Sequence, residues 1–217
     1  MIKTVFFDLD GTLTDSCPGI FTGVSIALSA FGITVAPEAV TREVIGPPLF
    51  DCFHRIYGLG EEDARRAVAL YREYYGREGL FVNDVYEGVY PMLSALGEAG
   101  YTLMMATGKP HEYARRISEH FGFDKTLSAV YGAEFDGTRG DKAELLRYAM
   151  EREGLRAAEC VMIGDRRYDI KGALEVGATP IGVLWGYGDR DELFAAGCTH
   201  FAEKPSDILG IIEKIEK

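Results

Sequence analysis

Asp8 and Asp10 stand two residues apart in Phe6-Phe7-Asp8-Leu9-Asp10-Gly11-Thr12-Leu13, directly after the apolar run Val5-Phe6-Phe7. Such a run reads as a buried strand. Along an extended chain, residues i and i+2 face the same side, and Gly11 allows a sharp turn away from the sheet. The pattern places two carboxylates side by side at the end of a strand. Like charges that close repel, so the pair is costly unless a cation or a proton offsets it. Asp and Gly are also ordinary turn residues, and these eight positions alone leave a purely structural turn open.

Other groups able to do chemistry occur at comparable places. Thr107 follows the apolar run Leu103-Met104-Met105-Ala106, and Lys142 opens a stretch with helical spacing. Asp165 and Asp169 fall in Gly164-Asp165-Arg166-Arg167-Tyr168-Asp169, directly after Val161-Met162-Ile163. Each has a plainer reading: Thr107 as a helix N-cap, the two acids as a loop residue and a cap, Lys142 as a solvated lysine.

The elements around these residues alternate. Strands are expected over Thr4 to Phe7, Tyr101 to Ala106, Leu127 to Tyr131, Cys160 to Ile163 and Pro180 to Leu184. Helices are expected over Val89 to Leu96, Glu112 to Phe121, Lys142 to Glu153, Asp169 to Glu175 and Asp189 to Ala195. That alternation indicates an α/β fold, a parallel sheet wound with helices on both faces. Such sheets bind ligands at the carboxyl ends of their strands, where Asp8, Thr107 and Asp165 all fall. The stretch from about Pro18 to Leu80 differs, with helical spacing over Ile20 to Phe31, Ala39 to Ile45, Leu49 to Tyr57 and Glu61 to Glu78. Pro37 and Gly46-Pro47-Pro48 break it into pieces. It reads as a helical insertion between the first strand and its return helix. Glu61-Glu62-Asp63 with Arg65-Arg66 reads as a helix start with a solvated face.

With 217 residues, 47% of them hydrophobic, the chain can bury a substantial core in one domain carrying an insertion. A net charge of −11 disfavours nucleic acid and anionic membrane surfaces as partners. An anionic substrate stays open, because local metal and lysine charge can override the global balance. Cys17, Cys52, Cys160 and Cys198 show no CxxC spacing and read as reduced thiols, neither a disulfide frame nor a zinc site. The first apolar run is too short for a signal peptide, and no stretch approaches the ~18 apolar residues of a membrane span. A cytoplasmic protein, monomer or homodimer, is expected. His54, His111, His120 and His200 are scattered without ligand spacing. Tyr71, Tyr74 and Tyr75 read as core, and Arg166 and Arg167 as charge balance for the nearby acids.

Taken in order, Asp8-Leu9-Asp10-Gly11-Thr12-Leu13, Thr107, Lys142 and Gly164 to Asp169 resemble the four motifs of the haloacid dehalogenase superfamily of phosphotransferases. The resemblance runs from Val5 to about Glu203. It implies a Rossmann-like core over residues 1–15 and 81–217, with a helical cap inserted over 16–80 that closes over the active site. It also implies a Mg²⁺-dependent phosphomonoesterase acting on a small phosphorylated metabolite through an aspartyl-phosphate. In that scheme Asp8 is the nucleophile and Asp10 the general acid and base. Asp8, Asp165 and the Asp10 backbone carbonyl hold Mg²⁺. Thr107, Gly108 and Lys142 bind the phosphoryl group, and Asp169 supports the metal's water shell or orients Lys142.

Thr107-Gly108-Lys109-Pro110 carries Gly where Asn often stands, and Lys142 precedes Ala143-Glu144, not Pro. Together with Gly46-Pro47-Pro48-Leu49, Asp136-Gly137-Thr138-Arg139 and Trp185-Gly186-Tyr187-Gly188, these features are most similar to a bacterial subgroup of 5′-nucleotidases and phosphoglycolate phosphatases. A dehalogenase would not need Asp10 as an acid for an alkoxide. A phosphonate hydrolase would need a cap lysine, and none occurs between Lys3 and Lys109. A phosphosugar mutase shares the whole core and stays open. A non-catalytic binding or regulatory protein on this fold would show the loss of a catalytic acid, and none is lost.

Overall fold

The structure, a computed structural model, describes residues 1–37, 40 and 44–217. In chain order its main elements are β1 (Thr4–Phe7), β2 (Thr14–Asp15), α1 (Cys17–Ser29), α2 (Glu61–Arg77), β3 (Asp84–Val85), α3 (Val89–Glu98), β4 (Thr102–Pro110) and α4 (His111–Phe121). There follow β5 (Ala129–Ala133), α5 (Lys142–Glu153), β6 (Cys160–Gly164), α6 (Arg167–Val176), β7 (Thr179–Val183), α7 (Arg190–Ala195), β8 (Phe201–Ala202) and α8 (Ile208–Ile215). The chain divides into two compact units, Met1–Thr14 with Val85–Lys217, and Asp15–Asp84.

The larger unit is built on a six-stranded sheet in the order β5-β4-β1-β6-β7-β8, every adjacent pair parallel. β1 lies at its centre, with Phe7 level with Met105 of β4 on one side and Ile163 of β6 on the other. Central parallel strands are covered on both faces, which is why β1 and β6 read as unbroken apolar runs. Val5, Phe6, Phe7, Val161, Met162 and Ile163 are fully buried. Phe6, Met104 and Met162 pack with Leu145, Leu146 and Met150 of α5 and with Ala173 of α6. Strand order reverses at β1, since the chain reaches β4 on one flank and later β6 on the other; such a switch point opens a crevice at the strands' carboxyl ends.

Local signals set the helix ends. The Asp141 side chain accepts the Glu144 N–H at 3.0 Å to open α5, and Asp189 accepts the Glu192 N–H at 2.8 Å to open α7. Several boundaries differ from expectation. β4 runs on to Pro110, past the expected end at Ala106, so Thr107 lies within the strand and does not cap the helix, which begins at His111. Proline disfavours helical geometry in the residue before it, which extends the chain through Lys109. β5 lies two residues later than read, at Ala129–Ala133.

In the smaller unit, α1 and α2 pack closely, with Gly23 against the rings of Tyr71 and Tyr74. Tyr71 and Tyr75 are buried and stacked at 5.1 Å between centroids, so both serve as core. α2 begins at Glu61 with its acidic first turn, and Arg65 reaches Glu61 at 3.5 Å. The helix expected over Leu49 to Tyr57 is one α-turn, Leu49–Asp51, followed by a wider π-turn over Cys52–Ile56. The helix expected over Ala39 to Ile45 falls largely outside the described residues. No helix among the described residues is long and apolar enough to cross a membrane.

Candidate active site

Asp8 follows the last residue of β1, and Asp165 follows the last residue of β6, its hydrogen-bonded neighbour. Asp169 lies in the first turn of α6, the helix that leaves β6. These three carboxylates converge, each offering an oxygen within 4.8 Å of the others. Among the described residues this is the one group of three acidic, histidine or cysteine side chains that meets in this way. The approach depends on glycine. A Cβ on Gly11, whose φ is +84°, would overlap the Asp165 carboxylate, and only glycine adopts that backbone cheaply.

Lys142, the first residue of α5, reaches into the cluster. Its ammonium lies 2.7 Å from Asp169 Oδ1 and 3.1 Å from Asp8 Oδ1, and donates to the Ala106 carbonyl at 2.8 Å. The two carboxylate contacts are ion pairs by distance, with neither oxygen in a well-directed hydrogen bond. Lys142, Asp165 and Asp169 are all buried. Asp165 accepts from the Thr12 hydroxyl at 3.2 Å and from the Tyr187 N–H at 2.8 Å. Asp169 Oδ2 accepts the Arg166 N–H at 3.1 Å.

Burial pushes the Asp165 carboxyl up to about 8; the Asp169 and Asp8 charges add to this, while the Tyr187 N–H and Arg166 oppose it. Burial likewise raises Asp169, with the Lys142 ammonium as the main opposing influence. For Lys142, burial works against the charged form, but Asp169 and Asp8 outweigh it and the net shift is upward. One ammonium among three carboxylates leaves negative charge uncompensated. A small divalent cation supplies what is missing, and an all-oxygen donor set suits a hard ion. The residues present therefore fit a divalent metal.

That charge imbalance predicts a pH dependence of stability. A carboxyl whose folded value lies above its unfolded one, about 3.9, binds more protons when folded between those values. The chelator-treated protein should therefore lose stability as pH rises from about 5 towards 8, at no more than about 1.4 kcal/mol per pH unit for one group. A divalent cation competes with that proton, so its stabilising effect should grow over the same range. Thermal melts at several pH values, with EDTA and with Mg²⁺, would read both effects; a chelated protein that gains stability with pH would contradict this electrostatic picture.

The remaining expected site residues divide. Thr107 is buried on β4, and its hydroxyl oxygen accepts the Lys109 N–H at 3.2 Å. Gly108 is exposed and has open space where a side chain would stand. Asp10 sits apart from the carboxylate cluster in its partner, with Oδ2 2.7 Å from the ammonium of Lys109. Arg166 does balance charge, donating from Nε to Glu192 at 2.9 Å.

Two features escaped the sequence reading. Lys109 carried no expectation beyond its place in a motif. The Trp185-Gly186-Tyr187-Gly188 segment packs directly against the site: Trp185 Nε1 donates to the Thr12 carbonyl at 3.0 Å, and a Cβ on Gly186 or Gly188 would collide with Asp165. The paired glycines were a visible sign of close backbone approach, though not of what they approach.

Comparison with known proteins places the fold in a family. The family model described as haloacid dehalogenase-like hydrolase matches residues 2–177. A Pseudomonas aeruginosa protein named 5′-nucleotidase is 44% identical over 209 residues, covering 96% of this chain and 95% of that one. The Mycobacterium tuberculosis protein named tyrosine-protein kinase PtkA is 39% identical over 189 residues, covering 87% of this chain and 64% of its own length. The crystal structure of a predicted phosphatase from Clostridium acetobutylicum superposes over 100% of both chains with a TM-score of 0.93 at 37% identity. On the family model and on the 44% identity over nearly the whole length, the chain belongs to the haloacid dehalogenase-like hydrolases.

Proposed function

We propose that the chain is a Mg²⁺-dependent phosphomonoesterase, with nucleoside 5′-monophosphates as its preferred class of substrate. The observation that carries this reading is the cluster of Asp8, Asp165 and Asp169 around one buried ammonium, a site made only of oxygen donors and short of positive charge. Mg²⁺ held by Asp8, Asp165 and the Asp10 backbone carbonyl would neutralise phosphoryl oxygens and so lower the barrier to an anionic nucleophile. Asp8 attacks phosphorus and becomes an aspartyl-phosphate. Asp10 protonates the departing alkoxide, then takes a proton from the hydrolytic water. The Thr107 hydroxyl and the Gly108 N–H hold phosphoryl oxygens, and Lys142 adds charge to the transferring group while Asp169 fixes its orientation.

The groups named so far address a phosphoryl group and its metal, and none selects the alcohol attached to it. We assign that selection to the helical segment, residues 16–80, acting as a cap. The Pseudomonas aeruginosa relative's name favours a nucleoside as the alcohol.

A panel of phosphate esters with Mg²⁺ tests this reading: nucleoside 5′-monophosphates, phosphoglycolate, hexose phosphates and p-nitrophenyl phosphate. Specificity constants should be highest for a nucleotide, EDTA should abolish release of phosphate, and Mg²⁺ should restore it. Because a relative is named a tyrosine-protein kinase, ATP with a tyrosine peptide belongs in the panel. Isomerisation of a hexose phosphate without release would point to a mutase. Transfer to tyrosine would point to a kinase, and no turnover of any ester to a binding protein. Full activity after exhaustive chelation would remove the metal from the scheme.

A further inference from the structure

Lys109 has no assigned role in the motif that contains it, yet its ammonium sits 2.7 Å from Asp10 Oδ2. The two side chains are only 5% and 16% exposed, unlike a lysine solvated at a strand end. The sheet creates the approach. Phe7 and Met105 are level on β1 and β4, so Asp10, three residues past the end of β1, and Lys109, four residues further along β4, come to the same end of neighbouring strands. The pairing of β4 with β5 is irregular between Thr107 and Pro110, and in this stretch Thr107 and Lys109 are buried while Gly108 stays exposed. Asp10 Oδ1, by contrast, is buried with no hydrogen-bond partner. One oxygen of this carboxyl group is held, and its buried twin is left without a partner.

We propose, on the reading of the chain as a phosphomonoesterase with Asp10 as acid and base, that Lys109 is a positioning residue. It holds Asp10 by Oδ2 and leaves Oδ1 as the atom that moves the proton. In the first step an Asp8 oxygen bonds to phosphorus, the ester P–O bond breaks, and the proton on Asp10 Oδ1 passes to the departing alkoxide. In the second, a water oxygen bonds to phosphorus, its proton passes to Asp10 Oδ1, and the bond between Asp8 and phosphorus breaks. Without the ammonium the carboxyl group can rotate, and a proton donor that must first be oriented loses rate in the step that uses it.

The test compares two leaving groups. An alkoxide needs the proton, whereas nitrophenolate departs without it. The value of kcat/KM covers events up to cleavage of the ester bond, so it reads the leaving-group proton and not the later hydrolysis. Adenosine 5′-monophosphate, or phosphoglycolate should that be the better ester, is set against p-nitrophenyl phosphate for the wild-type chain, Lys109→Met, Lys109→Arg, Asp10→Asn and the double variant. Lys109→Met should lower kcat/KM on the alkyl ester by about 30- to 100-fold, up to the lower end of what general acid catalysis supplies, and on the aryl ester by less than about 3-fold. Lys109→Arg should restore much of the loss, and the double variant should fall no further than Asp10→Asn. The ratio between substrates does not depend on the folded fraction, so a partly unfolded variant still reports. Equal losses on both esters would overturn the role of Lys109. A wild-type chain that cleaves neither ester would instead overturn the phosphomonoesterase reading, and a missing contrast in Asp10→Asn would overturn the assignment of Asp10.

Discussion

Asp8→Asn should lower turnover by about 10⁴-fold or more, the scale seen when a nucleophile is removed from a concerted site, while leaving the fold in place. The amide matches the carboxylate in shape but cannot attack phosphorus. It also removes one of the charges that push the Asp165 carboxyl upward, so in EDTA the variant should melt no lower than the wild-type chain. Rate and stability are thereby separated. Steady-state turnover beside thermal melts would check both, and turnover within tenfold of wild type would exclude Asp8 as the nucleophile.

Lys142→Met should damage fold and activity together. The substitution keeps the apolar stem but takes the ammonium from between Asp8 and Asp169 and leaves the Ala106 carbonyl without its donor. Breaking a buried charge network by removing one partner costs about 3–5 kcal/mol. The loss should be largest near pH 8 in EDTA and smaller at low pH, where the carboxyl groups take up protons, or with Mg²⁺, which replaces part of the missing charge. Urea unfolding under these conditions would measure it. A loss below about 1 kcal/mol at pH 8 would mean that Lys142 does not carry the charge balance of the cluster.

Much of the larger unit was legible because its central strands are buried on both faces. Val5-Phe6-Phe7 and Val161-Met162-Ile163 could be little else, and the first led directly to an acid, the second through Gly164. Periodicity also set α5 at Lys142–Glu153, with Asp141 as its cap. Reading failed where short-range signals conflicted with pairing. Thr107-Gly108-Lys109-Pro110 has the composition of a turn, yet β4 continues through it. β8, at Phe201–Ala202, is too short to carry a pattern. The helix Ile208–Ile215 was overlooked, although its apolar spacing was in plain view.

The same distinction holds at the site. Asp8, Asp165 and Asp169 were legible because each follows a buried strand or caps the helix after it. The contact of Lys109 with Asp10 joins residues 99 positions apart and arises only from the pairing of β1 with β4. Gly186 and Gly188 signalled a close approach, but that Asp165 is what they approach is a property of the folded chain.

A chemical trap of the covalent intermediate tests the proposed chemistry most directly. The wild-type chain, in excess over a radiolabelled phosphate ester and Mg²⁺, is quenched in acid within one turnover, digested and mapped. Label should appear on the peptide that carries Asp8, should be lost with hydroxylamine as an acyl phosphate is, and should be absent from Asp8→Asn. Label on another residue, or complete release of phosphate with no labelled peptide at any quench time, would contradict attack by Asp8.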